Sequence, residues 1–313
     1  MHSRVSDLLG IDIPIIQAPM GYIARAQLAS AVSNAGGMGI VETSSGKLDQ
    51  VKAEFEKMPD LTDKPWGVNV AQMLIRDAAA RDEIIELITG HGVRFVTTSA
   101  GDPKVIAPIL QAAGITVFHV VPTLRGALKA VAAGVDGIII EGVEGGGFKN
   151  PDGASTMVLV PLIAAAVDLP IVSAGGISDG ISMAAAFALG AEGVQMGTRM
   201  LTAAESPVHD NWKQAVIAAA ETDTIVVNRY AKPAMRTLRT ELSTSAERAD
   251  VPPPLSIGGI LDLYFGGDLN AAYAMSGQVA GRIDEILPVR EILETAWSEC
   301  QQRLRKLGEA ASA

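Results

Sequence analysis

The stretch GVDGIIIEGVEGGGF, residues 134–148, carries an apolar run, Gly137 to Ile140, straight into three glycines, Gly145, Gly146 and Gly147. Glycine takes up positive φ without strain and lets backbone come close to a ligand. Two transitions of the same kind follow, PIVSAGGI at 170–177 and GVQMGTRM at 193–200. Strands that end one after another in glycine-rich turns gather backbone amides at one end of a sheet. That arrangement suits an anion such as a phosphate.

Outward from this stretch the chain shows eight apolar runs in all. They are IPIIQAPM (13–20), GGMGIV (36–41), PWGVNV (65–70), GVRFVTTS (92–99), ITVFHVV (115–121), GVDGIIIEG (134–142), LPIVSAGG (169–176) and AEGVQMGTR (191–199). Helical periodicity fills most of the gaps, as in RAQLASAVSNAG, PKVIAPILQAAG and GISMAAAFALG. These segments end in glycine, the residue favoured just past a helix C-terminus. Strands recur every ~20–35 residues, the size of a βα unit. Eight units in sequence predict an α/β fold, a single (β/α)₈ TIM-barrel domain over 1–313. A doubly wound open sheet is the alternative.

After the eighth run the pattern changes. A helix is expected around 208–221, followed by TDTIVVNRYAKPAMRTLRT and a proline break, VPPP, at 251–254. Residues 222–280 read as an insertion over the barrel mouth, a lid. A final helix runs from Val289 toward Leu307, and the tail GEAASA is expected to fray.

Composition narrows the function classes. The chain of 313 residues is 48% hydrophobic and 4% aromatic with 32 glycines, as parallel strands buried on both faces require. Its net charge of −10 argues against nucleic acid or an anionic membrane as partner. No run reaches the ~20 apolar residues of a membrane span. The lone cysteine, Cys300, forms no intrachain disulfide and fits a reducing cytoplasm, where the protein is expected. No metal-ligand spacing, no GxSxG and no GxGxxG after the first strand is present, so no metal, acyl-transfer serine or Rossmann nucleotide site is expected.

In such a barrel the active site lies at the C-terminal ends of the strands. That end holds Gln17–Met20, Val41–Thr43, Asn69, Thr97–Ser99, His119–Thr123, Glu141–Lys149, Ser173–Ile177 and Gln195–Arg199. Asn69, Thr123, Ser173, Gln195 and Thr198 offer uncharged hydrogen-bonding groups. The turns AGGI and MGT follow strands seven and eight, where such barrels often bind phosphate.

Together PIIQAPM, GGMG, GVN, the GVxxxxxxGxEGGG run, SAGGI and GVQMGTR resemble the nitronate monooxygenase family, formerly the 2-nitropropane dioxygenases, over residues 5–290. The resemblance implies FMN held in a TIM barrel, with flavin-dependent enoyl-acyl-carrier-protein reductases as relatives. It implies that Ala18, Pro19 and Met20 run beside the flavin ring and that Asn69 bonds the flavin. Gly175, Gly176, Gly197 and Thr198 would hold the phosphate with Gln195 nearby, Ser173 would be a further cofactor contact, and Gly145 and Glu144 would border the pocket. The family places histidine after the glycines as acid/base; this chain has Phe148, then Lys149. Phenylalanine has no proton to move, so Lys149, Glu144 and His119 become the candidates, in that order, with Phe148 as an apolar face beside the flavin.

The chain also looks similar to members of this superfamily that act on CoA thioesters in bacterial steroid-ring breakdown. The basic residues Arg229, Lys232, Arg236 and Arg239, with no acid between 229 and 239, are candidate contacts for such an anionic substrate. The bland readings are a solvated basic face, a buried satisfied His119, and Glu144 as a cap on backbone amides. A true nitronate monooxygenase, an enoyl reductase, a phosphate-binding isomerase without flavin and a non-catalytic flavin-binding scaffold remain alternatives, and a homo-oligomer is compatible with all of them.

Overall fold

Each apolar run of the sequence is a strand. The computed structural model describes residues 3–229, 233–248 and 257–312. Its strands are β1 Ile15–Gln17, β2 Gly39–Glu42, β3 Trp66–Ala71, β4 Phe95–Ser99, β5 Thr116–Val121, β6 Gly137–Glu141, β7 Gly147–Lys149, β8 Ile171–Ala174, β9 Gly193–Met196, β10 Thr224–Val227 and β11 Ala234–Leu238. Eight of them form one parallel sheet in the order β1-β9-β8-β6-β5-β4-β3-β2. A parallel bridge between Ile16 and Met38 joins its two ends, with Gln17 N donating to Met38 O at 3.0 Å and Met38 N to Ile15 O at 2.9 Å. The sheet therefore closes into a (β/α)₈ barrel, and the open-sheet alternative falls.

Strand alternation divides the side chains into two layers. Ile16, Met38, Ile40, Phe95, Phe118, Ile139 and Val172 fill the barrel, together with Val5, Leu9 and Ile11 from the N-terminal segment. The helix Arg4–Leu9 thus plugs the bottom; its Ser3 cap accepts from Ser6 N. Phe95 and Phe118 meet edge-to-face at 5.2 Å, a favourable aromatic geometry. The alternate residues, among them Val68, Val96, Val117, Ile138 and Val194, face the helices.

Helices Ala26–Asn34, Pro103–Ala112, Leu124–Ala132 and Gly180–Ala188 match the periodic segments of the sequence. The last helix, Val289–Ser312, continues through the tail expected to fray, because its alanines are strong helix formers. No helix among the described residues is long and apolar enough to cross a membrane.

Residues 222–280 contribute β10 and β11, helices Glu241–Arg248 and Ile257–Tyr264, and the short helix Gln278–Arg282. Strands β10 and β11 pair antiparallel, and β11 also pairs with β7, the three residues that follow the glycine run. A second sheet of three strands therefore rises directly from the turn after β6. VPPP lies outside the described residues.

Candidate active site at the barrel mouth

The top of the barrel is polar where its bottom is apolar. The register sets Glu42 beside Asn69 and Asn69 beside Thr97 on one side. On the other it sets Glu141 beside Ala174 and Ala174 beside Gln195. Asn69 Nδ2 donates to Thr97 Oγ1 at 2.9 Å and to its carbonyl at 3.2 Å. Gln195 is 7% exposed, and its buried Oε1 has no partner among the described residues. A buried unpartnered amide oxygen is costly, and a bound group bearing an N–H donor would relieve it.

The loops above this ring are half-buried at Ala18, Pro19, Met20, Gly145, Gly175, Gly176 and Gly197. Ala18 N donates to Met196 O at 2.9 Å, and a Cβ on Gly197 would lie 3.4 Å from that of Ala18. Gly175 and Gly176 have φ of +87° and +79°, a region open to glycine at little cost. Thr198 is buried and accepts from Gly277 N at 2.9 Å. Ser173 Oγ is buried without a partner among the described residues, but it has the parity of Ile171 and faces the helix layer. The half-exposed backbone around an unpartnered amide fits a planar, hydrogen-bonding cofactor that carries an anionic tail.

The glycine run serves protein packing as well. A Cβ on Gly146 would meet the backbone of Ser276 and Gly277 at 2.8–2.9 Å. A Cβ on Gly145 would meet Glu141 Oε1 at 2.9 Å and Lys149 Nζ at 3.0 Å.

The proton-transfer candidates separate. Lys149 Nζ pairs with Glu141 Oε1, and the lysine side chain is 5% exposed. The Glu144 carboxylate accepts from Thr156 N at 3.0 and 3.1 Å and from Thr156 Oγ1 at 3.0 Å, so it caps the helix Thr156–Ala164. Phe148 is 42% exposed and stands opposite Met235. His119 is removed from the mouth: it shares the parity of Val117 and Val121, which pack under the helices. Its Nδ1 is 2.7 Å from Thr98 Oγ1, and burial lowers its pKa to about 4 against a weaker opposing pull from Asp102. Cys300 is buried and its thiol is pushed up to about 11 by desolvation, which keeps it an inert core group.

The basic run is also dispersed. Arg229 is exposed beside the β10–β11 turn. Arg236 is buried, with Nε donating to Val143 O at 2.8 Å and Nη1 to Thr224 Oγ1 at 3.0 Å; desolvation lowers its pKa. This corrects its reading as a docking cation, because the side chain is buried and turned to Val143 and Thr224. Arg239 lies 3.5 Å from Glu247 at the surface. Lys232 lies outside the described residues.

Glu42 stood within Val41–Thr43 at the active-site end of the barrel, but the sequence reading gave it no role. Fully buried, it accepts from Tyr22 N at 3.1 Å, Ser44 N at 2.7 Å and Ser45 N at 3.0 Å, and from both serine hydroxyls. Arg25 stands 3.2 Å away. Glu42 thereby ties the loop after β1, which carries Ala18–Met20, to the loop after β2. The run Thr43-Ser44-Ser45 after this strand-end glutamate was the trace in the sequence of the loop that binds it.

Known proteins share this architecture. A model of the family described as nitronate monooxygenase matches residues 2–299. The (3aS,4S,5R,7aS)-5-hydroxy-7a-methyl-1-oxo-octahydro-1H-indene-4-carboxyl-CoA dehydrogenase of Mycobacterium tuberculosis is 36% identical over 250 residues, covering 79% of this chain and 69% of that protein. A nitronate monooxygenase of Paraburkholderia phytofirmans is 28% identical and covers 97% of each. The structure of FabK from Thermotoga maritima is similar with a TM-score of 0.92 and 36% identity, over 99% of both chains.

Proposed function

The chain belongs to the nitronate monooxygenase family and is an oxidoreductase, and from that premise we propose that it uses FMN to carry out redox chemistry at a carbon next to the carbonyl of a CoA thioester. The unpartnered Gln195 Oε1 in the ring with Asn69 carries the cofactor half of this reading. In it, Asn69 and Gln195 bond the flavin, and Ala18, Pro19 and Met20 lie beside it. Gly175, Gly176, Gly197 and Thr198 surround the phosphate. When bound, FMN would supply the two-electron chemistry that no side chain offers. The protein's part is to orient the substrate, exclude water and place charge at the reacting carbonyl.

The thioester half is supported by the similarity to the indene-carboxyl-CoA dehydrogenase and by Phe148, which has no proton for the role the family gives to histidine. In this reading residues 222–280 act as the lid, and the exposed Arg229 is the cation left for the substrate's non-reacting portion. The nitronate reading keeps support from the Paraburkholderia relative, which aligns over nearly its whole length.

The absorbance spectrum of the purified protein tests both halves. A flavin band bleached anaerobically by a CoA thioester and untouched by a nitronate is the expected result. Bleaching by a nitronate alone would replace the thioester reading, and colourless protein would overturn the cofactor.

A further inference from the structure

Lys149 and Phe148 are neighbours with opposite fates. In β7, Phe148 stands opposite Met235, and Lys149 opposite Ala234, so the two side chains leave on opposite faces of the small sheet. Met235 joins Ile225, Val227 and Tyr273 in the outer cluster of that sheet. The other face carries Lys149 and Arg236, and Arg236 reaches down to the Val143 carbonyl. Lys149 is thus the residue of the pair aimed at the turn after β6.

Its ammonium is held there. Glu141 ends β6, shares the inward parity of Ile139, and stands beside Ala174, next to Gln195. Among the described residues Lys149 donates to Glu141 alone, and an ammonium carries three donors. The pair sits directly over Gly145, where a Cβ would meet both its charged ends. We propose that Glu141 is a positioning residue that fixes Lys149 over the glycine turn, so that Lys149 donates to the carbonyl oxygen of the bound thioester.

The chemistry asks for a fixed cation at that place. Whether a proton leaves the α-carbon of a thioester or a hydride reaches its β-carbon, negative charge grows on the carbonyl oxygen. A donor already held in position stabilises that charge without reorganising. The hydrogen bond makes and breaks no covalent bond, so Lys149 stabilises the enolate whichever group takes the proton. This inference rests on the thioester reading above.

The test is binding of acetoacetyl-CoA to the flavin-replete protein, read as the near-ultraviolet absorbance of its enolate. Binding itself is read separately, from the perturbation of the flavin band. The native protein should raise the bound enolate fraction over that in solution. Lys149→Met should remove the rise, by about 100-fold in the ionisation constant, and Lys149→Arg should restore part of it. Glu141→Gln and Gly145→Ala should each lower it by roughly tenfold, compared at saturating thioester as judged by the flavin band. Gly145→Ala keeps both charges and displaces only flexible side-chain ends, so it separates positioning from loss of charge. Enolate formation at the native level in both Glu141→Gln and Gly145→Ala would overturn the proposal with the thioester reading intact. Failure of acetoacetyl-CoA to perturb the native flavin band would overturn the thioester reading, and the proposal with it.

Discussion

Arg236 Nε donates to the carbonyl of Val143 at 2.8 Å, across 93 residues of chain. A guanidinium from the insertion thereby pins the turn that follows β6. Its second bond, to Thr224, holds β10 to β11. Arg236→Met should leave both acceptors without a donor and lower stability by ~2 kcal/mol, as read by urea unfolding. An unchanged midpoint with weakened thioester binding would return Arg236 to substrate docking.

Gly146 has no room for a methyl group, because the obstruction is backbone at Ser276 and Gly277. Gly146→Ala should separate the segment around Gly277 from the mouth, at a cost of ~1–3 kcal/mol and with loss of flavin on dialysis. The control is Gly90→Ala: Gly90 closes the helix Ala78–Gly90 and nothing lies within 4 Å of its Cβ. That change should be neutral or stabilising by up to ~1 kcal/mol. Equal melting temperatures for the two variants would contradict the packing assigned to Gly146.

Gly176→Asp introduces a carboxylate into the turn proposed to hold the FMN phosphate, close to the Glu144 side chain. Like charges in this half-buried turn should expel the cofactor. The purified variant should be colourless, and a yellow preparation with native flavin content would move the phosphate elsewhere.

His119 makes the fold sensitive to acid. Burial lowers its pKa to about 4 from an ordinary value of 6.5. The unfolded chain therefore binds the proton first, and stability falls as pH drops from 6.5 toward 4. The linked loss is on the order of 3 kcal/mol and is absent above pH 6.5. His119→Leu should flatten the dependence of melting temperature on pH across that window. A native-like slope in the variant would assign the acid sensitivity to carboxylates.

The barrel was legible because its code is local. Eight apolar runs with glycine-closed helices between them need no distant partner to be recognised, and all eight became strands at the expected places. The small sheet was hidden by distance. GFK at 147–149 has no alternation of its own and becomes a strand only by pairing with residues 234–238. The basic run misled for a related reason. In AMRTL the alternation that makes β11 turns Arg236 inward with Ala234 and Leu238, while linear spacing counted it with Arg229 and Arg239. Glu42 and Glu141 looked alike at strand ends. What separates them is the loop that answers each: two serines and an arginine around Glu42, and one lysine from a second sheet over Glu141.

The last helix packs along Gly180–Ala188 and against Ala26–Asn34. It therefore crosses the flank where β1, only three residues long, meets its neighbours. Leu293 presses on Gly37, the backbone of Ala296 and Cys300 sits against Gly180, and Arg290 donates to Asn34 O at 3.0 Å. The flank beside the opening strand is thus covered by the closing helix, through contacts to the helix Ala26–Asn34 that lie more than 250 residues apart in sequence. Contacts so far apart in sequence are slow to form. During synthesis β1 can bridge Met38 and pair with β9 as they emerge, while the flank beside it stays uncovered until the last helix is made. The last helix is then the final cover that the barrel wall receives.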